Sequence, residues 1–391
     1  MFSSRLPSEL RENAVATAVA ALRRRGEAPV DLTESNPTAV GISYPDSLLA
    51  ALSDTQGLRY APDPRGLLTA REAVGADAAR RGAPVDPAHV VLTASTSEAY
   101  GWLFKLLCEP GDTVLVPRPS YPLFEHLTQL EAVQPRAYEL EYHGRWSIDF
   151  ASLADAPART RALLVVSPNN PTGSYISSSD LARLTTLCAQ REWTLIVDEV
   201  FADYPLESGG PLTDIAARAT ASAAPALTFT LGGASKGLGL PQVKLGWMVA
   251  GGPPALRSAA LTRLELIADT YLSVSTPVQL AAARLLTDAL PVRDAIQSRV
   301  MHNLVRARTL AAGFPGCELL HVEGGWSAVL RVPATRTEER LVLDLLDQEH
   351  VLVHPGYFFD FPREAYLVVS LLVAEETFAD AFSRVLGCAS C

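Results

Sequence analysis

The chain has 391 residues, 48% hydrophobic and 19% charged, with a formal net charge of −10. That balance favours a compact core over disorder, and the acidic charge disfavours nucleic acid as a main partner. No apolar run approaches the roughly 18 residues of a membrane span.

The length is a prior for about two or three domains. Residues 1–26, MFSSRLPSELRENAVATAVAALRRRG, interleave charges with alanines and lack the apolar core of a signal peptide, so a cytoplasmic location is expected. From about residue 88, short apolar runs alternate with helical stretches: HVVLTA, DTVLVP, RALLVVS, WTLIVDEV, ALTFTL and LGWMVA. Rich in valine, leucine and threonine and bounded by glycine, proline or asparagine, these are expected to be buried strands. Helical segments separate several of them, as in SEAYGWLFKLLCEPGD, where Gly111 is a stop signal. The pattern is α/β with a mostly parallel sheet. After about residue 275 the texture becomes a long arginine-dotted helix from PVQLAAARLLTDAL onward. CELLHVEGGWSAVLRVP, HVLVHPGYFF and AYLVVSLLVAEETF follow, an α+β arrangement. No internal repeat or low-complexity linker divides the parts.

Five scattered cysteines, Cys108, Cys188, Cys317, Cys388 and Cys391, do not suggest a disulfide framework. The terminal C-x-x-C has no second ligand pair, and His350 and His354 flank a strand and not a helical turn, so no metal site is expected.

In open α/β sheets, ligands bind beyond the carboxyl ends of the strands. After HVVL, the hydroxyl cluster Thr93 to Glu98, with Ser95, Thr96 and Ser97, opens a helix, either as a cradle for a phosphate or as a plain N-cap. Tyr121 follows DTVLVP, the SPNNPTG turn with Asn170 follows ALLVV, Asp198-Glu199 follows TLIV, and Lys236, flanked by glycines, follows ALTFTL. Singly, these are a core tyrosine, a turn, a cap and a solvated loop. Together they set an anion cradle, an aromatic face, an amide, a carboxylate and an amine along one sheet edge, suited to a charged, planar, phosphorylated ring. The chain contains only three lysines, and two of them, Lys236 and Lys244, lie eight residues apart here. GGASKG lacks the glycine before lysine of a P-loop, and no G-x-G-x-x-G follows the first strand.

The ordered motifs T-x-S-T-S-E-A, P-S-Y-P, N-P-T-G, D-E-V-F and S-K resemble the class I and II aminotransferases, pyridoxal phosphate enzymes of fold type I. The resemblance runs from ESNPT at Glu34 to LVVSLLVAEE. It implies a large domain, residues 46–275, with a mostly parallel seven-stranded sheet that binds pyridoxal 5'-phosphate. It also implies a smaller α+β domain, 276–391, joined by an amino-terminal arm, 1–45. By resemblance, Lys236 forms a Schiff base with the cofactor and shuttles a proton, Asp198 pairs with the pyridine nitrogen, Asn170 binds the phenolic oxygen and Tyr121 stacks on the ring. Thr96 and Ser97, with Ser95 beside them, and Lys244 would hold the phosphate, joined by Tyr60 from a partner subunit; a homodimer follows. Ser35, Asn36, Trp326 and Val368 fall at substrate-side positions.

Four positions depart from the family. Lys244 stands where an arginine usually forks around the phosphate, giving a point contact instead. Phe201 replaces a tyrosine, and losing that donor is expected to raise the Schiff-base pKa. Gly233 replaces a serine. Most consequentially, Val368 in YLVVS occupies the place of the arginine that grips the substrate carboxylate. Arg59 and Arg363 are candidate substitutes by sequence proximity, and Trp326 and Tyr357 are candidate apolar contacts. The expected activity is transfer of an amino group between an amine donor and an oxo acceptor, with glutamate and aspartate poor donors. A lyase or decarboxylase on the same cofactor is the alternative, and a non-catalytic binding module a third.

Overall fold

A computed structural model describes residues 2–7, 12–207 and 224–390. The first half runs α1 (Ala14–Arg24), β1 (Val30–Asp31), α2 (Leu68–Arg80), β2 (Val90–Thr93), α3 (Thr96–Leu107), β3 (Thr113–Arg118) and α4 (Leu123–Leu130). Next come β4 (Gln134–Tyr142), β5 (Trp146–Ile148), β6 (Thr160–Val166), α5 (Ser178–Arg191), β7 (Thr194–Asp198), β8 (Thr228–Gly233), α6 (Ala234–Gly237), β9 (Gly246–Gly251) and α7 (Pro254–Tyr271).

The six expected strands all form, in one large sheet of order β2-β9-β8-β7-β6-β3-β4-β5. Strands β8, β7, β6, β3 and β4 are parallel, whereas β9 and β5 run against their neighbours. Seven strands were expected and eight form, because β4 turns back through Gly144, at φ +83°, into the short edge strand β5. The central strands read as unbroken apolar runs because both faces are covered. Ala162, Leu164 and Ile196 pack towards α3 and α7, while Leu163, Val165, Leu195 and Val197 join the α5 side. Strand β4 escaped the sequence reading since QPRAYELEY is half exposed and mixes charges into its alternation.

The carboxyl-terminal half adds α8 (Thr276–Asp288), α9 (Leu290–Ala311), β10 (Glu318–Leu319), β11 (Ser327–Arg331), α10 (Glu338–Asp344), β12 (Val351–Leu352), β13 (His354–Pro355), β14 (Tyr366–Ser370) and α11 (Glu375–Ala389). The single long helix expected after residue 275 is two helices parted at Ala289, where Pro291 withholds an N–H from any continuing ladder. A second, antiparallel sheet has the order β10-β11-β14-β13, and β1 pairs in parallel with β12. Period-two alternation splits this small sheet cleanly. Ala328, Leu330, Leu367 and Val369 enter a core with Ile296, Val300, Phe378 and Phe382. The opposite face carries Ser327, Val368 and Ser370 towards the large sheet. Residues 32–35 are tied across the end of β14: the Ser370 amide donates to Leu32 C=O at 2.6 Å, and its hydroxyl to Glu34 C=O at 2.6 Å.

Candidate active site

The carboxyl ends of the large sheet and the polar face of the small one enclose a cavity of about 470 Å³. It gathers Ser35, Ser95, Thr96, Ser97, Tyr121, Asn170, Asp198, Phe201, Gly233, Lys236, Lys244, Trp326 and Val368. Most of the residues singled out from the sequence thus meet in one place.

Of the two readings of the hydroxyl cluster, the N-cap is the one seen directly. Ser95 is the N-cap of α3, its hydroxyl accepting from the Glu98 amide at 3.2 Å, while Glu98 accepts from the Ala94 amide at 2.7 Å. Ser95 is therefore occupied by its cap. Thr96 and Ser97, one step along, open the helix with hydroxyls that have no hydrogen-bond partner among the described residues. Ser235 and Lys244 stand on the same cavity wall. Gly246 lets β9 close up behind this loop: a Cβ there would meet the Ser95 carbonyl carbon and Thr93 Oγ1, each at 3.0 Å.

Asp198, at the end of β7, is buried and accepts from Tyr100 Oη at 2.7 Å and from the Val200 amide at 3.1 Å. Burial raises its pKa to about 6 against the opposing pull of those two bonds. No cation pairs with it among the described residues. Tyr100 was missed by the sequence reading because, mid-helix among apolar residues, it looks like core. The available signal was its spacing, since it lies four residues after Thr96 and so on the same helical face.

Lys236 sits on the short helix α6, which Tyr204 anchors by donating to Lys236 C=O at 2.6 Å. The ammonium group donates to Ser35 C=O at 3.3 Å and lies 5.1 Å from the Trp326 ring centroid and 5.9 Å from that of Phe201. Phe201 and Tyr204 pack edge-on against Trp326, forming an apolar collar. Burial lowers the lysine pKa, with Glu34 acting in the opposite direction. On the small-domain side, Ser327 Oγ donates to Asn170 Oδ1 at 3.4 Å, and His354 and Phe359 complete the lining.

Several expectations do not meet at the cavity. Asn36 is exposed, and its carboxamide oxygen accepts from the Thr38 amide and hydroxyl at 3.1 and 2.7 Å, a local turn in place of a substrate contact. Tyr357 points away and is 39% exposed; Phe359, two residues on, lines the wall instead. Arg59 and Arg363 are exposed, and no arginine lines the cavity among the described residues. Tyr60 is 77% exposed and stands outside this cavity.

The donor set fits pyridoxal 5'-phosphate. A buried carboxylate lacking a cation faces the same space as a desolvated lysine amine, and free hydroxyls at a helix N-terminus with an ammonium form an anion site. The family profile of aminotransferase class I and II matches residues 29–384. The chain belongs to that family of pyridoxal phosphate-dependent transaminases, and it is an enzyme of that kind. It is 29% identical over 379 residues to an alanine aminotransferase of Mycobacterium tuberculosis, covering 94% of this chain and 86% of that one. The alanine aminotransferase structure from Pyrococcus furiosus superposes with a TM-score of 0.88 at 23% identity, covering 99% of each chain. The S-alkyl-thiohydroximate lyase SUR1 of Arabidopsis thaliana is 30% identical over 258 residues, 63% of this chain and 53% of that protein.

Proposed function

We propose that this enzyme binds pyridoxal 5'-phosphate through Lys236 and moves an amino group from an amine donor to an oxo acceptor whose recognition does not depend on an arginine–carboxylate pair. The observation that carries this is the presence of the Lys236 amine and the cation-poor Asp198 carboxylate in one cavity, which no arginine lines among the described residues. When bound, the cofactor supplies an electron-withdrawing ring that stabilises negative charge at the substrate Cα.

The chain's own groups divide the remaining work. Lys236 would hold the cofactor through its amine, its lowered pKa favouring the neutral, nucleophilic form, and the same Nζ is the group placed to take up and give back the substrate's proton. Asp198 would hold the pyridine nitrogen by charge, and Tyr100 fixes the carboxylate. Thr96, Ser97, Ser235 and Lys244, which line one side of the cavity, would hold the phosphate, with Tyr121 against the ring and Asn170 towards its phenolic oxygen. Phe201 and Trp326 keep water from Lys236. Tyr60 is exposed here, as required of a residue that completes a partner's site in a homodimer. The separate sheets support reading residues 46–275 and 276–391, with the arm 1–45, as two domains around this cleft. The site is proposed to work in the cytoplasm; among the described residues no helix is long and apolar enough to cross a membrane.

Visible absorption of the purified protein tests this. A cofactor band that is lost in Lys236→Ala and shifts to the amine form of the cofactor on adding a donor supports transamination. No band at all removes the enzymatic roles assigned here. The match to a lyase over part of the chain favours one second reading, elimination or another bond cleavage, which a band that persists while a non-aminated product is released would establish.

A further inference from the structure

One polar ring on the small sheet's cavity face is used neither by the fold nor by the cofactor roles above. His354 on β13 stands directly opposite Val368 on β14. Opposed residues in an antiparallel pair put their side chains on the same face, about 5 Å apart, and both of these line the cavity beside Ser327 and Ser370. The imidazole packs against Phe359 and Phe358, with ring centroids 5.5 and 5.7 Å away. Neither ring nitrogen has a hydrogen-bond or ion-pair partner among the described residues.

Burial lowers this imidazole's pKa, and Asp31 is the acidic group that opposes the shift. A neutral imidazole offers one N–H donor and one lone-pair acceptor. It can satisfy a hydroxyl, carbonyl or amide, but it cannot compensate a carboxylate's charge, and neither can Val368. Leu123, Phe124, Leu127 and Phe359 make the adjoining wall apolar. A site built to hydrogen-bond discriminates against analogues that leave its polar group unpaired far better than an apolar site discriminates by size.

The geometry points to His354 as the substrate-selecting residue, which with Val368 tailors the site to amines and oxo compounds that carry an uncharged hydroxyl, carbonyl or amide group beside an apolar chain. This rests on the transaminase reading and names its substrate class.

Three amines that differ at one substituent of the same carbon test it: leucinol (hydroxymethyl), leucine (carboxylate) and 4-methyl-2-pentylamine (methyl). Each is titrated into cofactor-loaded wild type, His354→Ala, His354→Gln and Val368→Arg, reading both saturable perturbation of cofactor absorption and the rate of conversion to the amine form. Wild type is expected to favour leucinol over both others by about tenfold or more. His354→Ala should raise the leucinol KM by about tenfold with kcat little changed, erasing its advantage over the methyl compound. His354→Gln should keep part of that advantage, and Val368→Arg should move the preference to leucine. A wild type that prefers leucine, or a His354→Ala that weakens all three amines alike, overturns the assignment. So does the absence of any perturbation by all three at millimolar concentration, an outcome that leaves the Lys236 cofactor band intact as separate support for the enzyme class. Should leucinol bind in a His354-dependent way without converting the cofactor, the transaminase reading fails and the assignment of His354 stands.

Discussion

The two walls of the cleft are built on opposite principles. The large-sheet wall is crowded with groups that answer charge: a carboxylate, two lysines, a helix N-terminus and free hydroxyls. The small-sheet wall, which faces them, offers valine, two serines, an aromatic edge and a neutral imidazole. On the proposed function each wall suits a different kind of ligand: the first a planar, anionic cofactor, the second an uncharged group, because burying a carboxylate against Val368 without a partner costs several kcal/mol.

The comparison breaks most visibly at Lys236. Lys236→Ala should lower the rate of amine transfer by about 10⁴-fold or more, followed as cofactor conversion under single-turnover conditions. A loss of only a few-fold would mean that the amine is not the proton carrier. Next in size, Asp198→Asn removes a buried charge whose pairing in such a setting is worth about 3–5 kcal/mol, so cofactor affinity should fall by roughly 10²–10⁴-fold in an absorbance titration.

The same carboxylate predicts a pH signature in the cofactor-free protein. Its pKa of about 6 lies above the ordinary carboxylate value, so folding favours its protonated form. That contribution is full below the unfolded pKa and is lost as pH rises through about 6. Glu199, pushed by burial to about 7, extends the loss upward. Thermal denaturation across this window should show falling stability with rising pH; Asp198→Asn should flatten its lower part, and so should adding the cofactor. An unchanged slope in Asp198→Asn would show that the carboxylate is already compensated.

Tyr100→Phe removes a 2.7 Å bond to a charged group, of a kind worth about 1.5–3 kcal/mol. Cofactor affinity should drop by about 10- to 100-fold, with the Asp198 pKa moving further up, since that bond lowers it. The smallest effect is a gain: Lys244→Arg should tighten cofactor binding by a few-fold, because a guanidinium fork replaces a point charge on the phosphate. Its backbone, at φ +58°, strains arginine no more than lysine, and so the change isolates the head group.

The chemistry-bearing wall was legible in the sequence because its residues sit at strand ends, where order along the chain and order along the sheet edge coincide. Asp198, Asn170, Lys236 and the Thr96-Ser97 pair were found this way. The substrate wall was much less so. Trp326 and Val368 were reachable by motif, but Tyr357 was chosen where Phe359 lines the cavity, and Asn36 where its side chain closes a turn. In irregular segments one residue's shift changes which side chain faces inward.

The sequence by itself determined six of the large sheet's eight strands, the polar content of the strand-end edge and the valine at position 368, since buried runs, chain-ordered motifs and a missing cation are all written locally. Only the tertiary structure decided that Tyr100 braces Asp198, that Arg59 and Arg363 do not reach the cavity, and that His354 stands beside Val368. Those outcomes depend on helix rotation and cross-strand register, which join residues 14 and 98 positions apart and are set by packing the whole chain.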